Sequence, residues 1–163
     1  MKIQRGWGLV EILLVVTLVG TGMALGLPTV ADVLERSRLV SAAADLEHAA
    51  RMARSEALKR NTTVMFTAGP GFWQVSVDSS GITEILHAGG LDARVSLDSG
   101  AIEFSGNGFT RPVGTQLSLD LVLGVDASNC AAAQRCRRLQ VDAGGVARIC
   151  DPLKGSDQWG ACS

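Results

Sequence analysis

The sequence predicts an α+β protein in which one long N-terminal helix packs against a C-terminal antiparallel β domain. Residues 7–60 contain a single proline, and their second half repeats apolar residues at spacings of three and four, which is the period of a helix. After Asn61, apolar and polar residues alternate in short runs that glycine-rich turns separate, as in strands. Helical and strand patterns that occupy separate blocks of the chain are typical of α+β proteins.

The first informative element is a carboxylate inside an apolar N-terminal segment. Glu11 interrupts a run that begins at Leu9 and continues to Val16. An ionised Glu at membrane depth costs roughly 2–3 kcal/mol, so such a residue is functional by default and needs a partner. If a peptidase cuts between Gly6 and Trp7, the new α-amino group of one subunit can neutralise Glu11 of its neighbour.

This arrangement resembles the class III signal of type IV pilins and type II secretion pseudopilins. In those proteins a short basic leader ends in Gly, the next residue is N-methylated after cleavage, and Glu follows at the fifth mature position. The resemblance implies that prepilin peptidase cleaves between Gly6 and Trp7, that Trp7 is N-methylated, and that Glu11 acts in assembly. The chain departs from the usual Phe and Thr or Ser at Trp7 and Gly8.

Two simpler interpretations of the same segment leave Glu11 unexplained. An ordinary secretory signal ends in an A-x-A-like site, which this chain lacks. A plain single-pass anchor fits the length, because residues 12–34 supply the roughly 20 residues that a bilayer needs.

Three glycines precede Pro28, and the cluster predicts a kink in the N-terminal helix. Gly and Pro inside a helix cost about 1 and 3 kcal/mol relative to Ala, and sharp bends concentrate at such residues. Type IV pilins carry a proline at the twenty-second mature position, and counting from Trp7 gives Pro28. The resemblance therefore divides the chain into a leader (1–6), an N-terminal helix (7–60) that forms the membrane and filament core to about residue 34 and then the domain scaffold, and a periplasmic β domain (61–163).

The charge distribution predicts the orientation in the membrane. Lys2 and Arg5 precede the apolar run, so the positive-inside rule puts the leader in the cytoplasm and the β domain outside. We therefore expect a bacterial inner-membrane protein with one span, which later enters a pilus or pseudopilus. The net charge of −1 becomes about −3 without the leader, which leaves 13 basic and 16 acidic side chains. Nucleic-acid binding would then need a local basic patch.

The scaffold half of the helix and the strands follow in order. A stripe of mostly small residues is expected to face a sheet: Leu39, Ala43, Leu46, Ala50, Ala53 and Ala57. Seven strands are predicted, at residues 63–67, 72–77, 94–97, 101–104, 116–121, 138–141 and 146–149.

Four cysteines lie in the part of the chain expected in an oxidising compartment: Cys130, Cys136, Cys150 and Cys162. They predict two disulfides with three possible connectivities, and we favour the local pairs Cys130–Cys136 and Cys150–Cys162. A zinc site is the alternative, but neither spacing is C-x-x-C and His48 and His87 are the only histidines, so no metal is expected.

No catalytic residues or cofactor are expected. The sequence contains no G-x-S-x-G, H-E-x-x-H, Walker or dinucleotide-binding glycine motif, and we interpret the chain as a structural protein rather than an enzyme.

A basic cluster occupies the C-terminal third: Arg135, Arg137, Arg138, Arg148 and Lys154, against Asp142 and Asp151. A hairpin with a loop at 143–145 would put Leu139, Val141, Ala147 and Ile149 on one apolar face, and Arg138, Gln140 and Arg148 on the other. A two-residue loop would mix these sets.

A long helix, a small β domain and a Gly-rich terminal hairpin followed by a Cys-containing tail resemble the GspH/FimT group of minor pilins and pseudopilins. Some FimT-type members bind DNA through a G-R-x-R motif in this hairpin. Here the matching residues are Gly145-Val146-Ala147-Arg148, so one motif Arg is Val146. Arg138 and Arg148 are the candidate DNA-binding residues, and a basic edge strand that blocks aggregation is the alternative.

The resemblance implies a minor subunit of a type IV pilus or a type II secretion pseudopilus, assembling through its helix at or near the filament tip. Its expected partners are other pilins or pseudopilins, the prepilin peptidase and the inner-membrane assembly platform. The alternative function is DNA binding for natural transformation.

Overall fold

The computed structural model describes residues 8–79, 81–123, 130 and 135–162, without the side chains of residues 23–29 and 32. The chain divides into two compact units, Met1–Glu35 and Arg36–Ser163. Within the described residues there are one helix and nine strands. They are α1 (Leu9–Arg60), β1 (Val64–Gly69), β2 (Phe72–Ser79), β3 (Ile82–Gly90), β4 (Val95–Leu97), β5 (Gly100–Phe104), β6 (Thr110–Arg111), β7 (Leu117–Leu123), β8 (Cys136–Val141) and β9 (Ala147–Cys150).

The strands of the second unit form two antiparallel sheets. The larger sheet has the order β3-β2-β1-β5-β6, and the smaller has the order β4-β7-β8-β9. Most neighbouring strands in these sheets are also consecutive in the chain. The exceptions are β1 with β5 and β4 with β7, which pair although other strands lie between them in the sequence. Helix and strands are segregated along the chain, so the predicted α+β fold with an antiparallel β domain is confirmed.

The second half of α1 supplies one wall of the core. Its buried side chains are Leu39, Ala42, Ala43, Leu46, Ala49, Ala50, Ala53 and Ala57, which include all six members of the predicted stripe. They belong to the same apolar cluster as Phe66 and Phe104 from the larger sheet and Leu119 and Leu139 from the smaller one. Small side chains let both sheets lie close to the helix.

The turn after β5 packs closely against the C-terminal end of α1. Asn61 has a left-handed φ of 50°, a conformation that Asn tolerates better than most residues. A side chain on Gly106 would lie 2.7 Å from the Asn61 carbonyl carbon. The turn after β5 can therefore lie against the helix terminus only because residue 106 has no side chain.

Two strands, β3 and β6, were not predicted from the sequence. The nine-residue β3 lies at an edge of the larger sheet, and its exposed side chains give it no apolar face that alternation could reveal. The two-residue β6 is too short for any periodic pattern. The remaining seven strands lie where the sequence predicts them, with shifts of at most two residues at their ends.

Candidate functional site

The N-terminal end of α1 carries the carboxylate that the sequence analysis singles out. Helix α1 begins at Leu9, and Glu11 lies exposed in its first turn. The Glu11 backbone N–H donates a 2.9 Å hydrogen bond to the Gly8 carbonyl. Gly6 and Trp7, at the predicted cleavage and methylation site, lie outside the described residues.

Apolar side chains in the first half of α1 are exposed along its described length. Leu9, Val10, Ile12, Leu13, Leu14, Val15, Val16, Leu18, Val19, Val30, Val33 and Leu34 all show large exposed surfaces. A helix that is apolar on all sides normally lies buried in protein or lipid. This segment therefore has the chemistry of a helix that another molecule covers.

Within the described part of the chain, no helical stretch combines the length and the apolar character that a membrane span requires. The backbone of α1 is helical through Pro28, whose side chain lies outside the described residues. The kink at Pro28 stays a prediction.

The terminal hairpin has the register that its apolar pattern predicts. Leu139 pairs with Ile149, and Val141 pairs with Ala147. Leu139, Val141 and Ala147 are buried, while Ile149 is partly buried against the core. On the opposite face Gln140 pairs with the exposed Arg148.

The turn of this hairpin is closed by Asp142. Its backbone carbonyl accepts a 2.8 Å hydrogen bond from the Gly145 N–H, and its Oδ1 accepts one of 2.9 Å from the Val146 N–H. Gly145 has a φ of 76°, and a side chain there would lie 2.4 Å from the Gly108 carbonyl oxygen. Glycine is thus required at residue 145 both for its backbone conformation and for close packing.

Arg138, one of the two candidate DNA-binding residues, forms a bidentate ion pair within the domain. Its Nε and Nη2 donate hydrogen bonds of 2.5 and 2.9 Å to the two carboxylate oxygens of Asp120 on β7. Asp120 is buried, and its hydrogen bonds raise the pKa of Arg138. Asp120 was not predicted as a partner of Arg138, because it lies on another strand, 18 residues away in the sequence.

A second cation of the basic cluster is also neutralised. Arg137 Nη1 donates a 2.7 Å hydrogen bond to Asp151 Oδ2, and Lys154 Nζ donates one of 3.0 Å to the Trp159 carbonyl. Two of the five cations, Arg137 and Arg138, are therefore paired with carboxylates, whereas Arg148 is exposed on the hairpin face.

Both disulfides that the sequence favours are present, Cys130–Cys136 and Cys150–Cys162. The first covers Val122 on the smaller sheet, and the second ties β9 to the C-terminal segment, where Asp151 forms a bridge with Ala161. Asp120 lies near Cys130 and Cys136, with one potential ligand atom from each within 4.8 Å of the others. The two sulfur atoms form the disulfide, and the Asp120 carboxylate accepts hydrogen bonds from Arg138. These three residues are therefore not available together as metal ligands.

Comparison with known proteins bears directly on this fold. The family model described as "Type II transport protein GspH" matches residues 42–145, which is more than half of the chain. The chain belongs to the GspH family. This membership confirms the resemblance to GspH/FimT-type minor pilins, and it implies a structural subunit that assembles with other pilins in a pilus or pseudopilus.

Solved structures share the fold of this GspH-family chain. Two crystal structures of the type IV minor pilin FimU from Pseudomonas aeruginosa match it. One has a TM-score of 0.60 at 21% identity and covers 76% of this chain and 96% of FimU. The other has a TM-score of 0.56 at 19% identity and covers 72% and 97%. No curated protein matches the sequence.

Proposed function

We propose that this GspH-family protein is a minor subunit that enters a type IV pilus or a type II secretion pseudopilus through the first half of α1. In this proposal the helix anchors the protein in the bacterial inner membrane with the β domain in the periplasm, and the subunit takes a position at or near the filament tip. The observation that carries the proposal is the set of apolar side chains exposed at residues 9–19, 30, 33 and 34, a series that the carboxylate of Glu11 interrupts.

The chemistry of assembly follows from that carboxylate. A filament core of packed helices excludes water, and an isolated ionised Glu in such a core is strongly disfavoured. The α-amino group of a processed neighbour, at Trp7, supplies the opposite charge. Contact between the two groups fixes the axial register of adjacent subunits, while the apolar side chains supply the area that holds the helices together.

The mass of the N-terminal peptide tests the proposal. Protein purified from membranes of cells that contain prepilin peptidase and its methyltransferase activity should begin at a methylated Trp7. An intact Met1 terminus in such cells contradicts the proposal.

A DNA-binding role in natural transformation is a second candidate, favoured by the exposure of Arg148 on the hairpin face. The pair of Arg138 with Asp120 weakens it, because the carboxylate cancels the charge that Arg138 would offer to phosphate.

A further inference from the structure

The loop that the Cys150–Cys162 disulfide closes carries the most exposed large apolar side chain in the described part of the chain. This side chain is Trp159, which is 96% exposed, and Leu153 of the same loop is 49% exposed. Burial of an indole is strongly favourable, and Trp is enriched at protein interfaces and at the boundary between membrane and water. The loop therefore has the chemistry of a surface that a protein or a membrane covers.

Hydrogen bonds tie this loop down within the domain. The Asp151 N–H donates a 2.8 Å hydrogen bond to the Gly160 carbonyl, and Asp151 forms a bridge with Ala161. Lys154 Nζ donates a 3.0 Å hydrogen bond across the loop to the Trp159 carbonyl. Because these contacts and the disulfide order the loop in advance, Trp159 can bind a surface at little cost in conformational entropy.

The loop lies beside the first residues of the second unit. Asp151 and Leu153 line a cavity of about 110 Å³ together with Arg36 and Val40 of α1. The exposed apolar series of α1 ends at Leu34, two residues before Arg36, and two residues span at most about 7 Å. If α1 anchors the protein to about residue 34, the loop is therefore close to the point at which the chain leaves the bilayer.

Cations outnumber carboxylates on this surface of the second unit. The four cations are Arg36, Arg135, Arg137 and Lys154, and the two carboxylates are Asp151 and Asp157. Lys and Arg side chains next to an exposed Trp and an exposed Leu match the phosphates and acyl chains of anionic phospholipids. A membrane also needs no additional partner, because an anchored helix brings the lipid surface to the loop. These observations favour a lipid surface over a second protein.

We propose that the Cys150–Cys162 loop docks the β domain on the periplasmic face of the membrane. Trp159 and Leu153 enter the boundary between headgroups and acyl chains, and Lys154 and Arg36 bind the phosphates of anionic phospholipids. The inference rests on the proposed function and deepens it, because only an anchored helix holds the loop at the bilayer. Docking keeps the domain in one orientation on the membrane until the subunit is extracted into the filament.

Fluorescence quenching in the full-length protein tests the docking. The processed chain is reconstituted in phosphatidylcholine vesicles that contain phosphatidylglycerol and a lipid brominated near the headgroup end of its acyl chains. The signal of Trp159 is the difference between the wild type and Trp159→Phe, because Trp7 and Trp73 contribute to both. Brominated lipid should lower this signal by about twofold or more, since an indole at the membrane boundary lies within reach of the bromine atoms. Acrylamide in the surrounding water should quench it weakly.

A tryptophan near the other end of the domain helix is the matched control. Phe109 is 52% exposed, and a side chain at the adjoining Gly108 would lie 3.2 Å from Leu58 Cδ2. Leu58 is about 33 Å along the helix from Arg36. Phe109→Trp in the Trp159→Phe background should therefore give a signal that acrylamide quenches and brominated lipid does not.

Charge reversal tests the contact with the phosphates. Arg36→Glu should weaken the lipid quenching of Trp159 by about twofold or more, because it replaces an attraction to anionic lipid by a repulsion. Vesicles without phosphatidylglycerol should show a loss in the same direction, and this arm needs no variant if Arg36→Glu fails to fold. Arg111→Glu, which reverses an exposed charge on β6, is the matched control and should leave the quenching unchanged.

Several outcomes overturn this inference. One is a Trp159 signal that acrylamide and brominated lipid affect as they affect the Phe109→Trp control. Another is quenching that depends on neither Arg36→Glu nor phosphatidylglycerol. Protection of Trp159 only after other pilins are added also overturns it and assigns the loop to a protein contact. Protein that floats with the vesicles but shows no quenching by lipid contradicts the inference alone, whereas processed protein that does not float contradicts the proposed anchor as well.

Discussion

Asp120 and Arg138 lie directly opposite each other on β7 and β8, and both carboxylate oxygens accept hydrogen bonds from the guanidinium. The pair links β8, the first strand of the terminal hairpin, to β7 of the smaller sheet. The same pair can therefore stabilise the hairpin while it offsets the charge that Arg138 would offer to a polyanion.

Replacing Asp120 by Asn should lower the free energy of unfolding by about 1–3 kcal/mol, because a half-buried guanidinium loses its counter-charge. Denaturant unfolding of the oxidised protein measures the change. Asp157→Asn, at an exposed position, is the matched control and should change stability by less than about 0.5 kcal/mol. Equal stability of the two variants would show that the ion pair contributes nothing.

Substitutions at Val146 and Arg148 test whether the terminal hairpin binds DNA. Val146→Arg should create or strengthen binding of duplex DNA by restoring the second motif arginine, with little sequence preference and a salt slope of no more than about three. Arg148→Gln should reduce whatever binding exists, by a similar factor for any sequence. Titration of labelled duplex DNA with the full-length protein at low and moderate salt gives both values. If Val146→Arg shows no binding at low salt, the hairpin is a structural edge.

The Cys150–Cys162 bond should stabilise the domain by about 2–3 kcal/mol through the entropy of the reduced unfolded chain. The double variant Cys150→Ser/Cys162→Ser should lose this amount in denaturant unfolding and should release the bridge between Asp151 and Ala161. Thiol labelling of the unfolded, unreduced wild-type protein should detect no free cysteine. Four reactive thiols in protein taken from the periplasm would contradict the oxidised state.

Glu56 gives the last turn of α1 a defined pH dependence. Hydrogen bonds from Lys59 and then from Arg60 lower the pKa of its carboxyl from the ordinary 4.5. A pKa that folding lowers contributes stability above the unfolded value and loses it as the pH falls through the folded value. The helix end at Arg60 should therefore fray progressively below pH 4.5. Amide hydrogen exchange in residues 57–61, corrected for intrinsic rates, should show this in the wild type and not in Glu56→Gln.

Gly6 and Glu11 should act at different steps. Gly6→Ala should keep the leader attached, because we expect the peptidase to have no room for a side chain at the residue before the cleaved bond. Glu11→Gln should be cleaved normally and then assemble poorly, since the α-amino group of the neighbour loses its counter-charge. Mass spectrometry of the membrane form separates the two variants. Normal assembly of Glu11→Gln would contradict the role of the carboxylate.

The parts of the fold that the sequence predicts are those governed by local periodicity. The stripe on α1 and the register of the terminal hairpin follow from spacing alone, because a shift by one residue would expose Leu139 and Val141. Asp120 could not be identified as the partner of Arg138, because no local sequence pattern encodes the register between β7 and β8, which are separate segments of the chain. The position of Leu153 beside Arg36 likewise depends on tertiary packing of segments far apart in sequence.

The alanine-rich face of α1 also determines how the domain responds to force. Any pull on the domain from its N-terminal side enters at Arg36 and acts on a helix held by eight buried side chains, six of them alanine. Both disulfides join residues from 130 onwards, so neither covalently links the helix to the sheets. Under tension only non-covalent packing keeps the face of the helix against the sheets, while the backbone after Arg60 joins its end to β1. One bulky or polar substitution on that face should therefore lower the force at which the helix separates from the sheets.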